Sequence, residues 1–272
     1  MHPRDAVVIV TGASSGIGRE AALAFARHRA RLVLAARRED RLHQLAEEIA
    51  ALGAEALAVP TDVARTDDCA RLVQAALDRF GRVDVLVNNA GFGFSGTIEE
   101  TTESDMRELL DVNYMGAFNL TRAVLPHMRR QRRGHIVNVA SVVGKVAFPF
   151  HGAYSATKFA MIAMTEALRG ELDGSGVTAT AVLPASTRTE FFDAQRTNDG
   201  HVSAPTGPQQ DAAVVARAIV RSLRHPAPEV NMVRAFRLAY GLNGFFPALR
   251  DVAGRQFYRR SHGKPRRKPP PR

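Results

Sequence analysis

Three side chains between Ser141 and Lys158, in the stretch S-V-V-G-K-V-A-F-P-F-H-G-A-Y-S-A-T-K, could together move a proton. Tyr154 and Lys158 are four residues apart, so on a helix they share a face, one turn from each other. A free tyrosine titrates at about 10 and is a poor acid or base near neutrality. A fixed ammonium one turn away favours the phenolate and draws that value down. Ser141 adds a hydroxyl able to bond the same substrate oxygen that the tyrosine would protonate. The spacing alone carries little, because Y-x-x-x-K is common; the surrounding elements decide its meaning.

Those elements are legible. Phe159 to Leu172 is Ala- and Met-rich and free of Pro, which predicts a helix that carries Tyr154 and Lys158 at its start. The run His135-Ile136-Val137-Asn138-Val139 predicts a buried strand, with Ser141 just beyond its C-terminal end, where open α/β sheets place their ligands. At the other end of the chain, Ala6-Val7-Val8-Ile9-Val10 reads as a buried parallel strand. It runs into Thr11-Gly12-Ala13-Ser14-Ser15-Gly16-Ile17-Gly18, and Arg19 to Arg29 then reads as an Ala-rich helix. Strand, glycine-rich turn and helix are the context of a dinucleotide site: the glycines let backbone approach a pyrophosphate, whose charge sits on the helix N-terminus.

The second strand, Arg31 to Ala35, ends in Ala36-Arg37-Arg38. An acid after this strand would bond the adenosine ribose 2′-hydroxyl of NAD, and Ala36 stands in its place. Arg37 and Arg38 instead suit charge-assisted bonds to a 2′-phosphate, which favours NADP(H) over NAD(H). The alternative, that they open the solvated face of the next helix (Glu39 to Leu52), fits Arg38 better than Arg37. Gly53 closes that helix. Strand three (Ala56 to Val59) runs into Pro60-Thr61-Asp62-Val63, and a helix covers Asp67 to Phe80. Strand four (Asp84 to Val87) ends in Asn88-Asn89-Ala90-Gly91, whose asparagines are poor β formers and so have another task. One long helical pattern, Ser104 to Arg130, contains Asn113. Strand six, Val177 to Leu183, stops at Pro184, and a last strand lies near Glu229 to Val233. The alternation predicts an α/β fold: a Rossmann-like, doubly wound parallel sheet of about seven strands with helices on both faces.

Composition bounds the rest. With 45% hydrophobic residues in 272, the chain can bury a large core. Its one cysteine, Cys69, excludes an internal disulfide, fits a reducing compartment and reads as a small core residue in a helix. The first strand follows Met1 almost at once, leaving no room for a signal peptide, and no run reaches the ~18 apolar residues of a membrane span. The expectation is a cytoplasmic protein. The net charge of +10 is local: nine basic residues against one acid lie from Arg250 onward, leaving a surplus of two for the first 249 residues. A near-neutral domain with a basic tail does not predict nucleic-acid binding. The nine histidines show no metal-ligand spacing.

Taken together, the T-G-x-x-x-G-I-G turn at Thr11 to Gly18, Asp62-Val63, Asn88 to Gly91, Asn113, Ser141, Tyr154 and Lys158 resemble, in order, the motifs of the short-chain dehydrogenase/reductase family, in its single-domain branch. The resemblance covers about residues 5 to 235. It implies hydride transfer between a nicotinamide cofactor and a carbonyl or secondary alcohol. Gly12, Gly16 and Gly18 would hold the pyrophosphate with Ser14 and Ser15 in the same turn, and Ile17 would lie against the cofactor. Asp62 would accept from the adenine amino group beside the Val63 backbone. Asn89, Ala90 and Gly91 would line the adenosine side and brace the sheet. Tyr154 would be the general acid for reduction or base for oxidation, Lys158 would bind the nicotinamide ribose and lower the tyrosine pKa, Ser141 would orient the substrate oxygen, and Asn113 would support a proton relay through water. After strand six the family usually has Pro-Gly; here Pro184-Ala185-Ser186-Thr187-Arg188-Thr189 places Pro184, Thr187 and Thr189 to meet the cofactor, but puts Ala185 where the glycine stands. If that position needs positive φ, alanine is strained there. Family members are usually homodimers or homotetramers.

Glu190 to Gln210 is long, polar and aperiodic, the character of a lid. Phe191, Phe192 and the stretch Val146 to Phe150 could wall an apolar pocket for a hydrophobic ketone or alcohol, or be ordinary core. The organisation expected is a catalytic domain over residues 1–235, an amphipathic extension over 236–260, and a disordered basic Pro-rich tail over 261–272. Between Arg234 and Arg260 the extension mixes aromatic residues with arginines, which suits a subunit contact or a peripheral membrane surface as well as packing on its own domain. Two rival readings stay open: the same chemistry with NAD, and a cofactor-binding sensor or scaffold on the same fold.

Overall fold

The computed structural model describes residues 1–198, 209–233, 240–241 and 247–262. Strands and helices alternate: β1 (Val7–Thr11), α1 (Gly16–Ala26), β2 (Arg31–Ala36), α2 (Glu39–Ala51), β3 (Glu55–Pro60), α3 (Thr66–Phe80), β4 (Val85–Asn88), α4 (Glu103–Leu110), α5 (Gly116–Arg130), β5 (Gly134–Val139), α6 (Gly152–Glu171) and β6 (Val177–Leu183). A short pair, β7 (Thr187–Arg188) and β8 (Gln210–Asp211), precedes α7 (Ala212–Arg224), β9 (Glu229–Asn231) and α8 (Pro247–His262).

Seven strands form one sheet in the order β3-β2-β1-β4-β5-β6-β9, parallel throughout. Alternate residues of β1 face opposite sides, as the period of a strand requires. Val8 and Val10 belong to the core formed with α1, α2 and α7, whereas Ile9 joins α3, α5 and the end of α6. This is why the β1 run is apolar without alternation: both faces are covered.

The order reverses between β1 and β4, the switch point beside which such sheets open a crevice at their C-terminal edge. Ends of β1, β4, β5 and β6 all reach that edge. Thr11, the last residue of β1, ties it together: its hydroxyl donates to the Val87 carbonyl (3.2 Å) and accepts from the amides of Asn89 (2.9 Å) and Ala90 (3.0 Å). The two asparagines that β propensity does not explain are braces, Asn88 buried and Asn89 partly so. Asn89 donates to the Thr11 carbonyl at 2.9 Å, and Asn88 donates to Asn138 Oδ1 at 2.8 Å and to Thr121 Oγ1 at 3.2 Å.

One element differs from the expectation. The single helical pattern over 104–130 is two helices, α4 and α5, joined by a π-helical turn at Asp111–Met115. A π turn shifts the backbone bonding by one residue without a mark in composition. Among the described residues, no helix is long and apolar enough to cross a membrane. The proposed tail over 261–272 lies outside the described residues apart from the end of α8, as do 199–208 of the expected lid and 234–239 and 242–246 of the extension.

Candidate active site

At the C-terminal edge lies a cleft of about 720 Å³ whose walls come from β1, β2, β4, β5, β6 and the helix α6. One end is the glycine turn. Gly12 and Gly16 adopt positive φ (+64° and +55°), and a Cβ on Gly18 would stand 2.2 Å from the Gly12 carbonyl oxygen. Only glycine fits that approach. The α1 N-terminus behind it has no acid in its first turn and no side-chain cap from Ser15. Its amide donors and positive dipole end are therefore directed at the cleft, a donor set that fits a pyrophosphate.

Beside this turn, Arg38 donates to Ser14 Oγ (3.0 Å) and Ser15 Oγ (3.0 Å). Arg37 also lines the cleft and is exposed. The structure thus brings Arg38, which the sequence left nearer to a solvated helix face, onto the glycine turn. Asp62 and Val63, past the end of β3, line the same end; the Asp62 carboxylate accepts from the Ala64 amide at 3.1 Å. Ile17, Asn89, Ala90 and Gly91 line the middle. Gly91 reaches further than its expected place on the adenosine side: a Cβ there would meet Asn113 Oδ1 at 2.9 Å and Lys158 Nζ at 3.6 Å.

The other end brings together Ser141, Tyr154, Lys158 and Asn113. α6 begins at Gly152, so Tyr154 and Lys158 lie one turn apart inside its first two turns, and Lys158 Nζ sits 5.7 Å from the centre of the Tyr154 ring. Ser141, immediately beyond β5, accepts from the Val143 amide at 3.3 Å and is hydrogen-bonded to the Tyr154 phenol. Lys158 is buried and donates to the Val139 carbonyl at 3.1 Å. Asn113, in the π turn, is fully buried; it accepts from the Phe92 amide at 2.9 Å and donates to the Phe92 carbonyl at 3.0 Å and to Thr157 Oγ1 at 3.3 Å.

The electrostatics here differ from the simple expectation. Burial pushes the Tyr154 phenol up from its ordinary value, and the Ser141 hydrogen bond opposes this only in part. Burial also pulls Lys158 down to about 8. Desolvation is the larger effect on both groups.

Pro184, Thr187 and Thr189 follow β6 and line the cleft. The Pro184 carbonyl accepts from the Val142 amide at 3.0 Å, and Thr187 Oγ1 bonds Ala185 O (2.8 Å) and Gln210 Nε2 (3.0 Å). Thr189 packs against Gly16, where a Cβ would meet it at 3.0 Å. Ala185 is not among the residues of positive φ, so the exchange of glycine for alanine costs no backbone strain here. A strained position does exist nearby: Phe150, buried just before α6, has φ +68°.

Phe191, Phe192 and Phe148 line the cleft, and the Phe191 ring lies 5.7 Å from that of Tyr154. Val146 and Phe150 are buried and do not line it. Several lining residues were not singled out by sequence reasoning: Phe92 and Phe94 shortly after Gly91, Gln195 and Arg196 in the loop, Phe257 of α8, and Glu190. Phe92 and Phe94 carried a readable signal, two aromatics beyond a strand end. Gln195 is buried with its Oε1 unpartnered among the described residues. No group of three or more His, Cys, Asp or Glu side chains among the described residues is placed to hold a metal ion.

Comparison with known proteins agrees with this geometry. The family model described as short chain dehydrogenase matches residues 6–200. The chain is 37% identical over 238 residues to an uncharacterized oxidoreductase of Staphylococcus saprophyticus, covering 86% of this chain and 95% of that one. Among solved structures it resembles an alcohol dehydrogenase from Thermococcus sibiricus complexed with 5-hydroxy-NADP (TM-score 0.75, 29% identity, 84% and 95% of the two chains). It also resembles a short chain dehydrogenase/reductase from Burkholderia phymatum in complex with NAD (TM-score 0.83, 28% identity, 100% and 99%).

Proposed function

The chain belongs to the short-chain dehydrogenase family and is an NAD(P)-dependent oxidoreductase; from that premise we propose that it interconverts a hydrophobic carbonyl and the corresponding secondary alcohol with NADP(H), Tyr154 serving as the general acid and base. The observation that carries the reading is the convergence of Ser141, Tyr154 and Lys158 at one end of a cleft whose other end is the glycine turn with Arg38 upon it.

A dihydronicotinamide held in the cleft would supply the hydride to the carbonyl carbon. Gly12, Gly16, Gly18, Ser14, Ser15 and the α1 N-terminus would bind the pyrophosphate, and Arg37 and Arg38 the adenosine 2′-phosphate. Asp62, Val63, Asn89 and Ala90 would line the adenosine, while Pro184, Thr187 and Thr189 would close the nicotinamide side. In reduction, the Tyr154 hydroxyl gives its proton to the oxygen as the carbon–oxygen π bond is converted to an alkoxide, leaving a phenolate beside the Lys158 ammonium. Ser141 donates to the same oxygen and keeps it within reach. Asn113, braced on Phe92 and Thr157, holds the π turn against Gly91 and Lys158, from which a water-borne relay would return the proton to Tyr154. Oxidation of an alcohol is the reverse, with the phenolate as base. The aromatic lining by Phe92, Phe148, Phe191 and Phe192 favours an apolar substrate.

The test is NADPH and NADH oxidation by the purified protein against ketones, aldehydes and quinones of graded size, with Tyr154→Phe as control. Turnover that is lost by at least about a thousandfold in the variant, with cofactor affinity retained, supports the mechanism. Equal turnover by the variant removes Tyr154 from it, and preference for small charged ketones removes the apolar substrate. Tight cofactor binding without turnover of any carbonyl would favour the sensor reading instead. Assembly as a homodimer or homotetramer completes the proposal, and light scattering checks it.

A further inference from the structure

The residue after Thr189 is an acid, half exposed and engaged by two arginines. Glu190 bonds Arg41 Nη1 through both carboxylate oxygens (2.7 and 2.9 Å) and Arg38 Nη1 through Oε2 (3.2 Å). Arg38 is the same guanidinium that rests on Ser14 and Ser15 of the glycine turn. The carboxylate therefore occupies the cation that an adenosine 2′-phosphate needs, although it comes from a loop 152 residues further along the chain. Asp62 and Glu108 are the other acids on the cleft walls; Asp62 is turned to the Ala64 amide and Glu108 is paired with Arg196.

We propose that Glu190 is a built-in competitor for the adenosine 2′-phosphate, so that this acid, and not the arginines alone, sets the preference between NADP(H) and NAD(H). The proposal rests on the placement of the adenosine end at Arg38 made above, and it adds Arg41 to the cations of that end. β2 supplies no acid to bond a ribose 2′-hydroxyl, since it finishes in Ala36. Glu190 supplies one from the opposite wall. A phosphate entering here meets a carboxylate held on the same guanidinium, and two anions at that separation repel. The loop cannot simply drift away, because Thr189 is packed on Gly16 on one side and Phe191 on Tyr154 on the other. Glu190 is ionised at neutral pH: its bond to Arg41, then that to Arg38, holds the carboxyl below the usual carboxylate range. A phosphate beside Arg38 must share the guanidinium with that carboxylate or displace it, while the Ser14 and Ser15 hydroxyls, which accept from Arg38, keep their own hydrogens to donate to it.

Two fragments separate the phosphate from the rest of the cofactor: 2′,5′-ADP carries it and 5′-AMP does not. Their affinities are measured by calorimetry at fixed salt for the wild-type protein, Glu190→Gln and Arg38→Ala. Glu190→Gln keeps the shape and removes the charge. It is expected to bind 2′,5′-ADP at least about fivefold more tightly while 5′-AMP changes by less than about twofold. Unchanged or weaker 2′,5′-ADP binding overturns the proposal, and so does equal tightening of both fragments, which would make Glu190 a general closure of the loop. Arg38→Ala tests the placement separately: loss of the wild-type discrimination between the fragments supports it. If Arg38→Ala leaves that discrimination intact, the placement fails while the Glu190→Gln comparison still reads the role of the carboxylate.

Discussion

Tyr154 and Lys158 carry opposite shifts with one cause. Burial removes water from both, so the phenol becomes harder to ionise and the ammonium easier to neutralise. For carbonyl reduction this is a workable state, because Tyr154 stays protonated and available as the acid. On the proposed mechanism the pH-sensitive member is Lys158, which would stabilise the phenolate only while it holds its own proton. Its value is lowered to about 8, so the ammonium is present below that pH and is lost above it. Reduction is therefore expected to hold its rate below about pH 8 and to fall above it. In Lys158→Arg, whose guanidinium does not titrate in this range, the falling limb should move to higher pH even if the plateau is lower. A limb that stays where it was would assign it to another group. Ser141 acts on the same balance against burial, since its hydrogen bond favours the phenolate.

The turn between β1 and α1 and the strand β5 show what the elements contribute. A Cβ on Gly18 would collide with backbone, the Gly12 carbonyl at 2.2 Å, rather than with a side chain that can move. Gly18→Ala should therefore lower stability by roughly 2–4 kcal/mol and weaken cofactor binding, read by thermal unfolding and by calorimetry. On β5, His135 is buried between Thr178 Oγ1 (2.7 Å) and Ser222 Oγ (3.0 Å), which ties β6 and α7 to the sheet. Burial, and then the N-terminal charge, lowers its pKa from 6.5 to about 4. Between those values the unfolded chain binds a proton that the native chain refuses. The stability tied to neutral His135 is thus whole above about pH 6.5 and is lost as pH falls toward 4, by about 3 kcal/mol across the window. His135→Asn should flatten that slope in denaturant melts between pH 7 and 4, whatever it does to stability at pH 7. The positions of these elements were readable in the sequence because each is a local apolar run closed by Gly, Pro or polar residues. The π turn at Asp111–Met115 was not, since nothing in residue type distinguishes it from the helices on either side. Nor was the grip of Glu190 on Arg38, because an ion pair across 152 residues leaves no local pattern. Gly12, Ser141, Tyr154 and Lys158 could be found because each stands at a strand end or helix start that the local pattern fixes.

At the scale of the whole molecule, the chain divides by charge: the surplus from Arg250 onward dwarfs that of the preceding residues. The basic stretch begins within α8, and two aromatic residues of that helix are turned onto the protein itself. Phe257 lies 6.1 Å from Phe148, and Tyr258 stacks on Phe150 at 5.3 Å with the rings 12° apart. That contact favours the plainest reading of the extension, packing on its own domain, for these two residues. It also gives α8 a part in the site, since Phe257 lines the cleft beside Phe148 and faces the same space as Phe191 and Phe192. Phe150 is held at φ +68° just before α6, so the stack with Tyr258 bears on the segment that leads into Tyr154. An aromatic wall contributed from the far end of the chain should discriminate by substrate size: a large apolar carbonyl reaches Phe257 and a small one does not. Phe257→Ala is therefore expected to lower kcat/KM for bulky hydrophobic ketones by about 10–200-fold, the cost of an apolar pocket contact, while leaving small ketones within about twofold. Steady-state rates across the graded panel decide it. A uniform loss for all sizes would mean that α8 supports the fold of the cleft rather than touching what binds there, and no loss for any size would place Phe257 outside the path of the substrate.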